Sequence, residues 1–476
     1  MTRLFFIILI IGGYLASGSA QSPGWADELL NRYDRYKEKS IEDRRFKHAE
    51  MAPFITGLSG RSGFEVKERG KSIEGRPIYL VKYGDGPVKV LLWSQMHGDE
   101  PTATMALLDL FNFLKADDEY NDLRALIRKE LTLYVLPMLN PDGAEAFQRR
   151  NAIDVDINRD ALRLQTPEGK LLKKIRDEVD AEWGFNLHDQ SKYNSVGTTS
   201  GEATFSFLAP AYDEEKNINE VRKNAMQMIS GLNRWLQQYI PGQVGRFDDT
   251  FEPRAFGDNM QKWGTRTILI ECGGMDGDPE KQKIRRLHFG LFLVAFDAIA
   301  RKSYEAQSIQ SYQELDYNNR RLFDLLIRDA KLVENGKSYT MDLAFSRNEN
   351  HINSSRNFYY SSSISDMGDL STHNAYEELF ASGYTIEPGK TYPSVISSHS
   401  ALKNMNFKDL HSQGYTDVKL SNLPEKKDTD RLPFRVHASN AKTPKNKVRI
   451  GENPSFFLVR DGKKEYVVVN GFLYKM

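Results

Sequence analysis

Short apolar runs alternate with helical periodicity over the first two thirds of the chain. Strands are predicted at residues 78–83, 88–94, 131–139, 183–187, 204–208 and 267–270, and helices at 102–115, 167–179, 214–239 and 280–301. In the first of these helices, apolar residues recur at helical spacing, as Met105, Leu108 and Phe111 show. Strands that alternate with helices predict an α/β fold with a mixed, mostly parallel sheet covered by helices on both faces.

The pattern changes near Ser303. We predict a helix at 312–333 and, after it, short alternating runs typical of β-strands. The last three runs are separated by Asp461-Gly462 and Asn470-Gly471, which are strong hairpin signals. The chain is therefore divided into an α/β domain at 21–303, a helical linker at 304–333 and a β-rich C-terminal domain at 334–476.

The N-terminus has the composition of a targeting segment. Arg3 precedes an apolar run at 4–15, about 12 residues and thus shorter than the ~20 needed to span a bilayer. Small residues follow at Gly18-Ser19-Ala20. We expect residues 1–20 to be a signal peptide and the mature protein to be exported, periplasmic or extracellular, with no membrane partner. The alternative is an uncleaved membrane anchor.

Composition excludes several classes of protein. The chain has 476 residues with 65 Lys and Arg against 65 Asp and Glu, which argues against a strongly basic nucleic-acid binder. Cys272 is the single cysteine, so an intrachain disulfide and a cysteine-rich metal site are excluded.

Candidate site residues follow three of the predicted strands: His97, Glu100 and His188 are candidate metal ligands, and Glu271 is a candidate general base. His97 and Glu100 come after one strand, and His188 and Glu271 each end another. Such positions meet where open α/β sheets form their sites. Two histidines and one glutamate are a zinc set that leaves a fourth position open. Taken singly, each residue could instead belong to a surface loop, be a structural histidine or cap the sheet.

A basic segment follows the turn Asn140-Pro141-Asp142-Gly143. Arg149, Asn158 and Arg159 are close behind it. Arginine and asparagine side chains could hold a carboxylate and an oxyanion. The alternative is a set of surface salt bridges.

The order of these motifs resembles that of the zinc carboxypeptidase (metallocarboxypeptidase) family, over about residues 60–300. The resemblance implies a sheet of about eight strands. It also implies that His97, Glu100 and His188 bind one zinc ion per chain, and that Glu271 is the general base toward a zinc-activated water.

The same resemblance assigns roles to the basic segment. Arg149 is implied to stabilise the oxyanion, Asn158 and Arg159 to bind the substrate's C-terminal carboxylate, and Asp156 to orient His97. The chain departs from the family in having no tyrosine at 241–270, and Phe256 stands at the family's specificity position.

We therefore expect residues 21–303 to form a catalytic domain that hydrolyses the C-terminal bond of peptides with a free carboxylate. Two alternatives stay open. One is an N-acyl-amino-acid deacylase on the same scaffold, and the other is an inactive protein that binds peptides or cell wall.

Overall fold

The computed structural model describes residues 23–476. The predicted signal peptide at 1–20 lies outside the described residues. Among the helices of residues 23–476, none has both the length and the apolar character that crossing a bilayer requires.

Residues 23–313 form an α/β region. Its strands are β1 (Phe64–Lys71), β2 (Pro77–Tyr83), β3 (Val88–Trp93), β4 (Leu131–Leu136), β5 (Trp183–Asp189), β6 (Asn194–Val196), β7 (Phe205–Leu208), β8 (Val244–Arg246) and β9 (Arg266–Cys272). Its helices are α1 (Trp25–Asn31), α2 (His48–Thr56), α3 (Thr102–Leu114), α4 (Asn121–Glu130), α5 (Pro141–Ala146), α6 (Pro167–Val179), α7 (Glu220–Leu236), α8 (Phe256–Lys262), α9 (Gln282–Arg301) and α10 (Ile309–Gln313). Short 3-10 helices lie at Tyr33–Arg35, Ile157–Arg159 and Ser303–Ala306.

The main sheet of this region has eight strands in the order β1-β2-β4-β3-β5-β9-β7-β8. The four central strands β4, β3, β5 and β9 are parallel neighbours, whereas β1–β2, β2–β4 and β9–β7 pair antiparallel. The predicted α/β fold with a mixed eight-stranded sheet is confirmed.

Helices cover both faces of the sheet because its central strands are apolar on both sides. On one face, α3, α7 and α9 contribute to a large core that includes Leu108 and Phe292. On the other face, α6 and α8 contribute to a smaller core that includes Ile175 and Met260. Parallel strands buried in this way bring their carboxyl ends together at one edge of the molecule.

Residues 318–476 form the C-terminal region. Its strands are β10 (Asn318–Arg320), β11 (Leu322–Glu334), β12 (Lys337–Ile352), β13 (Asn357–Gly368), β14 (Asn374–Phe380), β15 (Thr385–Pro388), β16 (Lys390–Ile396), β17 (Tyr415–Leu420), β18 (Arg435–Ala438), β19 (Phe456–Arg460), β20 (Lys463–Val469) and β21 (Phe472–Lys475). Two helices, α11 (His399–Lys403) and α12 (Phe407–Ser412), and a 3-10 helix at Lys426–Asp428 complete it.

Most of these strands belong to a second eight-stranded sheet of order β13-β12-β11-β15-β19-β20-β21, with β14 also paired to β11. Strands β16, β17 and β18 form a small parallel sheet. The predicted hairpins are confirmed, because β19 pairs with β20 and β20 with β21. Asp461 and Asn470 take positive φ angles of 51° and 49° at the two turns, as Asp-Gly and Asn-Gly hairpins require.

The predicted helix at 312–333 is wrong beyond its first residues. Helix α10 ends at Gln313, and the segment from Leu322 to Glu334 is strand β11, so the linker predicted at 304–333 is not helical throughout. Strand β11 lies inside its sheet, where Leu325, Leu326 and Ile327 are all buried. A short continuous apolar run of this kind fits a buried strand and a helix equally well.

Candidate metal centre and substrate cleft

His97 and Glu100 lie in the loop that joins β3 to α3, and His188 lies near the end of the neighbouring strand β5. The loop can pack closely against α5 because residue 98 is glycine. A Cβ atom on Gly98 would lie 1.9 Å from the backbone carbon of Gly143, so any other residue would push the loop away from α5. This close backbone contact holds the His97 loop over the end of the sheet.

The three side chains converge. The Nδ1 atoms of His97 and His188 are 3.1 Å apart, and they lie 2.8 and 2.7 Å from the two carboxylate oxygens of Glu100. One ligand atom from each residue lies within 4.8 Å of the others, and all three residues are buried. Two imidazole nitrogens and one carboxylate that meet in this way fit zinc, which takes such sets in catalytic sites.

The hydrogen bonds of His97 also support a role as a zinc ligand. Its Nε2 atom donates a hydrogen bond to Asp156 Oδ1 at 3.1 Å, which leaves Nδ1 with a lone pair toward Glu100 and His188. Although burial raises the pKa of Asp156, its hydrogen bond from His97 and the charges of His97 and Arg149 hold that pKa below the usual value. Asp156 therefore stays ionised and fixes the orientation of the ring.

Glu271 lies beside His188, because β5 and β9 are parallel and the two residues are paired in register. Its carboxylate makes no hydrogen bond with the described residues. Burial raises the pKa of Glu271 well above the ordinary value, and the negative charge of Glu100 adds to the effect. A buried carboxylate that binds protons tightly and has no internal partner is chemically suited to accept a proton.

Arg149 contacts the ligand set directly, and Asn158 is linked to it through its backbone N–H, which donates to Asp156. Arg149 Nη1 donates to His97 Nδ1 at 3.1 Å, and its Nη2 lies 3.0 Å from Asp156, while 44% of its side chain stays exposed. Asn158 Oδ1 accepts a hydrogen bond from the backbone N–H of Phe256. That contact orients the asparagine amide, whose NH₂ group has no hydrogen-bond partner among the described residues.

The contacts of Arg159 are with Asn158 and Glu252 and not with the ligand set. Its side chain is 38% exposed, and its Nε atom is 3.4 Å from Glu252. The Phe256 side chain is fully buried and packs edge-on against Trp263. It belongs to the core of the α/β region, so its side chain is not available to line an open pocket.

One buried pair next to the centre was not predicted. Lys281 Nζ donates to Asp189 Oδ2 at 3.0 Å and to the backbone oxygen of Cys272 at 2.9 Å. Asp189 directly follows His188, and its backbone N–H donates to Glu100. The acidic residue after the strand-ending histidine was a visible signal, but its partner lies 92 residues away in the chain.

Comparisons with known proteins find similarity over part of the chain. Residues 61–263 match the family described as zinc carboxypeptidase. Carboxypeptidase SOL1 of Arabidopsis thaliana is 26% identical over 200 residues, covering 36% of this chain and 40% of that protein. The human carboxypeptidase N catalytic chain is 29% identical over 117 residues, covering 20% of this chain and 26% of that protein.

The matched segment thus spans two fifths or less of the length of either relative. A metallo-carboxypeptidase structure from Burkholderia cenocepacia aligns with a TM-score of 0.44 at 14% identity, covering 54% of this chain and 70% of that one. A carboxypeptidase A structure from Helicoverpa armigera aligns with a TM-score of 0.41 at 15% identity, covering 59% and 80%. Residues 61–263 of the chain are thus similar to the zinc carboxypeptidase family.

Proposed function

We propose that this protein is a zinc-dependent carboxypeptidase that removes the last residue of peptides with a free C-terminal carboxylate. The observation that carries the proposal is the convergence of His97, Glu100 and His188 beside the unpartnered carboxylate of Glu271. Zinc held by these three residues would polarise the scissile carbonyl and lower the pKa of water.

Glu271 is the residue that moves the proton. Its raised pKa makes it a better base than an exposed glutamate, so it accepts a proton from the attacking water and passes it to the leaving amine. The same carboxylate thus acts first as base and then as acid.

Arg149 stabilises the negative charge that develops on the scissile carbonyl oxygen. Its guanidinium is held by Asp156, and 44% of the side chain stays exposed. A cation fixed before the reaction does not need to reorganise when charge appears, which makes it effective in stabilising a transition state.

Asn158 and Arg159 hold the substrate's free carboxylate. The Asn158 amide is oriented by Phe256 and has donors to spare. The contact of Arg159 with Glu252 is partly exposed and 3.4 Å long, so a substrate carboxylate that offers two oxygens can replace it with a bidentate pair.

Two peptides that differ only in whether the C-terminus is free or amidated test the proposed function. Amidation of the C-terminus removes the charge that Arg159 binds, so kcat/KM should fall by about 10–100-fold. The Arg159→Ala variant should lose most of that discrimination, and Arg163→Ala, a second arginine four positions along the chain, serves as the control. Equal rates of the unmodified protein on both peptides would contradict the carboxypeptidase reading.

The same assay separates the alternatives. Hydrolysis of N-acyl-amino acids without cleavage of peptides would favour a deacylase, and binding without turnover would favour an inactive binding protein. The apolar run at 4–15 and the small residues at 18–20 support export of the enzyme.

A further inference from the structure

A cavity of about 600 Å³ lies between the α/β region and the C-terminal region. On the α/β side it is lined by Glu100, Asp189 and Gly274, among others. The opposite wall comes from the C-terminal region and includes Arg347, Tyr360, Tyr376, Arg431 and Phe472. The volume falls within the range of roughly 300–1,000 Å³ typical of sites for drug-sized ligands, and the cavity reaches a candidate metal ligand.

Buried contacts hold this wall in place. Asp324 accepts hydrogen bonds from Lys192 Nζ and from the Tyr193 hydroxyl, both at 2.6 Å. On another side of the cavity, Glu349 accepts from Arg44 at 2.7 Å and Arg45 at 2.6 Å. These contacts join the two regions, and apart from Lys192 their side chains are largely removed from water, so they hold the wall against the α/β region.

The C-terminal wall of the cavity contacts the backbone of the α/β region close to Glu271. The Tyr376 hydroxyl donates to the backbone oxygen of Lys192 at 2.5 Å. A Cβ atom on Gly274 would lie 2.2 Å from that hydroxyl, and Gly274 is three residues after Glu271. The tyrosine fits only because residue 274 has no side chain.

The wall presents aromatic rings and one cation without an ion-pair partner. Arg347 lies over the Phe472 ring at 4.0 Å, and Arg431 lies over the Tyr360 ring at 4.8 Å. The Arg431 guanidinium makes no hydrogen bond or ion pair with the described residues. Aromatic faces of this kind bind the apolar surface of a peptide chain.

We propose that the C-terminal region is a specificity-determining part of the enzyme, and that its wall binds the two or three residues that precede the scissile bond. The inference rests on the proposed carboxypeptidase function. Asn158 and Arg159 are not among the residues that line the cavity, whereas Glu100 and Asp189 are. A peptide whose last carboxylate is held at Asn158 and Arg159 therefore passes the metal ligands and continues into the cavity.

The test compares two substrates that share the same last two residues. One is an N-acetyl dipeptide, and the other has two more residues before it. In the unmodified protein, kcat/KM for the longer peptide should exceed that for the shorter by about tenfold or more, because binding remote from the reacting bond raises the rate. Phe472→Ala should reduce this ratio to about twofold or less.

The matched control is Phe380→Ala. Phe380 belongs to the same region and also lies near an arginine, at 5.9 Å from Arg328, but it is 70% exposed and does not line the cavity. It should keep the ratio of the unmodified protein. If both peptides are cleaved and the ratio is close to one, or if Phe472→Ala leaves it unchanged, the inference is wrong while the proposed function stands. If neither peptide is cleaved, the proposed function fails and the inference fails with it.

A second measurement does not depend on the folding of Phe472→Ala. The longer peptide, with a benzophenone at its N-terminal residue, is irradiated with the Glu271→Gln variant, and the crosslinked residues are identified by mass spectrometry. Crosslinks to Tyr360, Arg431 or Phe472 are expected. Crosslinks confined to residues 23–313 would overturn the inference.

Discussion

Two clusters of buried charged residues lie in the α/β region and differ in how they are partnered. In the first, Asp109 of α3 accepts from Arg285 Nε at 2.7 Å, from the Tyr33 hydroxyl at 2.7 Å and from the backbone N–H of Glu38 at 2.7 Å. In the second, the carboxylate of Glu271 makes no hydrogen bond with the described residues, and His188 Nε2 is buried without a partner.

The comparison shows that burial of charge does not by itself mark a functional site. The Asp109 cluster is satisfied within the protein, as buried ion pairs in structural roles must be. At the candidate metal centre, two imidazole nitrogens and a carboxylate meet, and the carboxylate of Glu271 and His188 Nε2 have no hydrogen-bond partner among the described residues. These unpartnered polar groups distinguish a candidate site for metal and substrate from a structural ion pair.

The largest expected effect on activity is that of Glu271→Gln, which removes the proton acceptor and keeps the side-chain volume. We expect turnover to fall by at least ~10²-fold, the lower range of a general-base contribution. Zinc content and Tm should hardly change, because the carboxylate has no internal partner to lose. Turnover near that of the unmodified protein would show that Glu271 only caps the sheet.

Asp109→Ala should have the opposite effect. It leaves the fully buried guanidinium of Arg285 without its ion-pair partner, which should reduce the free energy of unfolding by about 3–5 kcal/mol. Activity per folded molecule should be retained, since Asp109 touches none of the candidate metal ligands. Denaturant unfolding and active-site titration measure the two quantities.

The control for Asp109→Ala is Glu334→Ala, which removes an ion pair with Arg449 that is about half exposed on both sides. Its cost should be about 0–1 kcal/mol. Equal destabilisation by the two substitutions would contradict a structural role for the Asp109 cluster.

Asp156→Ala should have a smaller effect, directed at the metal. Loss of the hydrogen bond from His97 frees the ring to rotate, so zinc affinity should fall by about 10–100-fold. Competition with a chelator of known affinity measures the change, and circular dichroism checks the fold. Unchanged affinity would show that the orientation of His97 is set by other contacts.

Much of the α/β region could be predicted from the sequence. The predicted helix at 167–179 coincides with α6, and the strand ends carry His188 and Glu271 where the apolar runs stop. Local periodicity reports these features directly, because each apolar face repeats within one element.

Other features depend on distant residues and could not be predicted in this way. Strand β11 carries a continuous apolar run, Leu325-Leu326-Ile327, whose residues pack in two different clusters on the two sides of the sheet, and local periodicity does not separate such a run from a helix. Tyr376 reaches the backbone of Lys192 across 184 residues, and no local pattern reports that approach. The C-terminal wall of the cavity can therefore be recognised only from the folded structure.

The central claim is that His97, Glu100 and His188 hold one zinc ion. Metal analysis of the purified protein, compared with a His97→Ala, His188→Ala double variant, tests it most directly. The account predicts about one zinc per chain in the unmodified protein, no more than traces in the double variant, and activity that a chelator removes and added zinc restores. Full zinc occupancy in the double variant would contradict it.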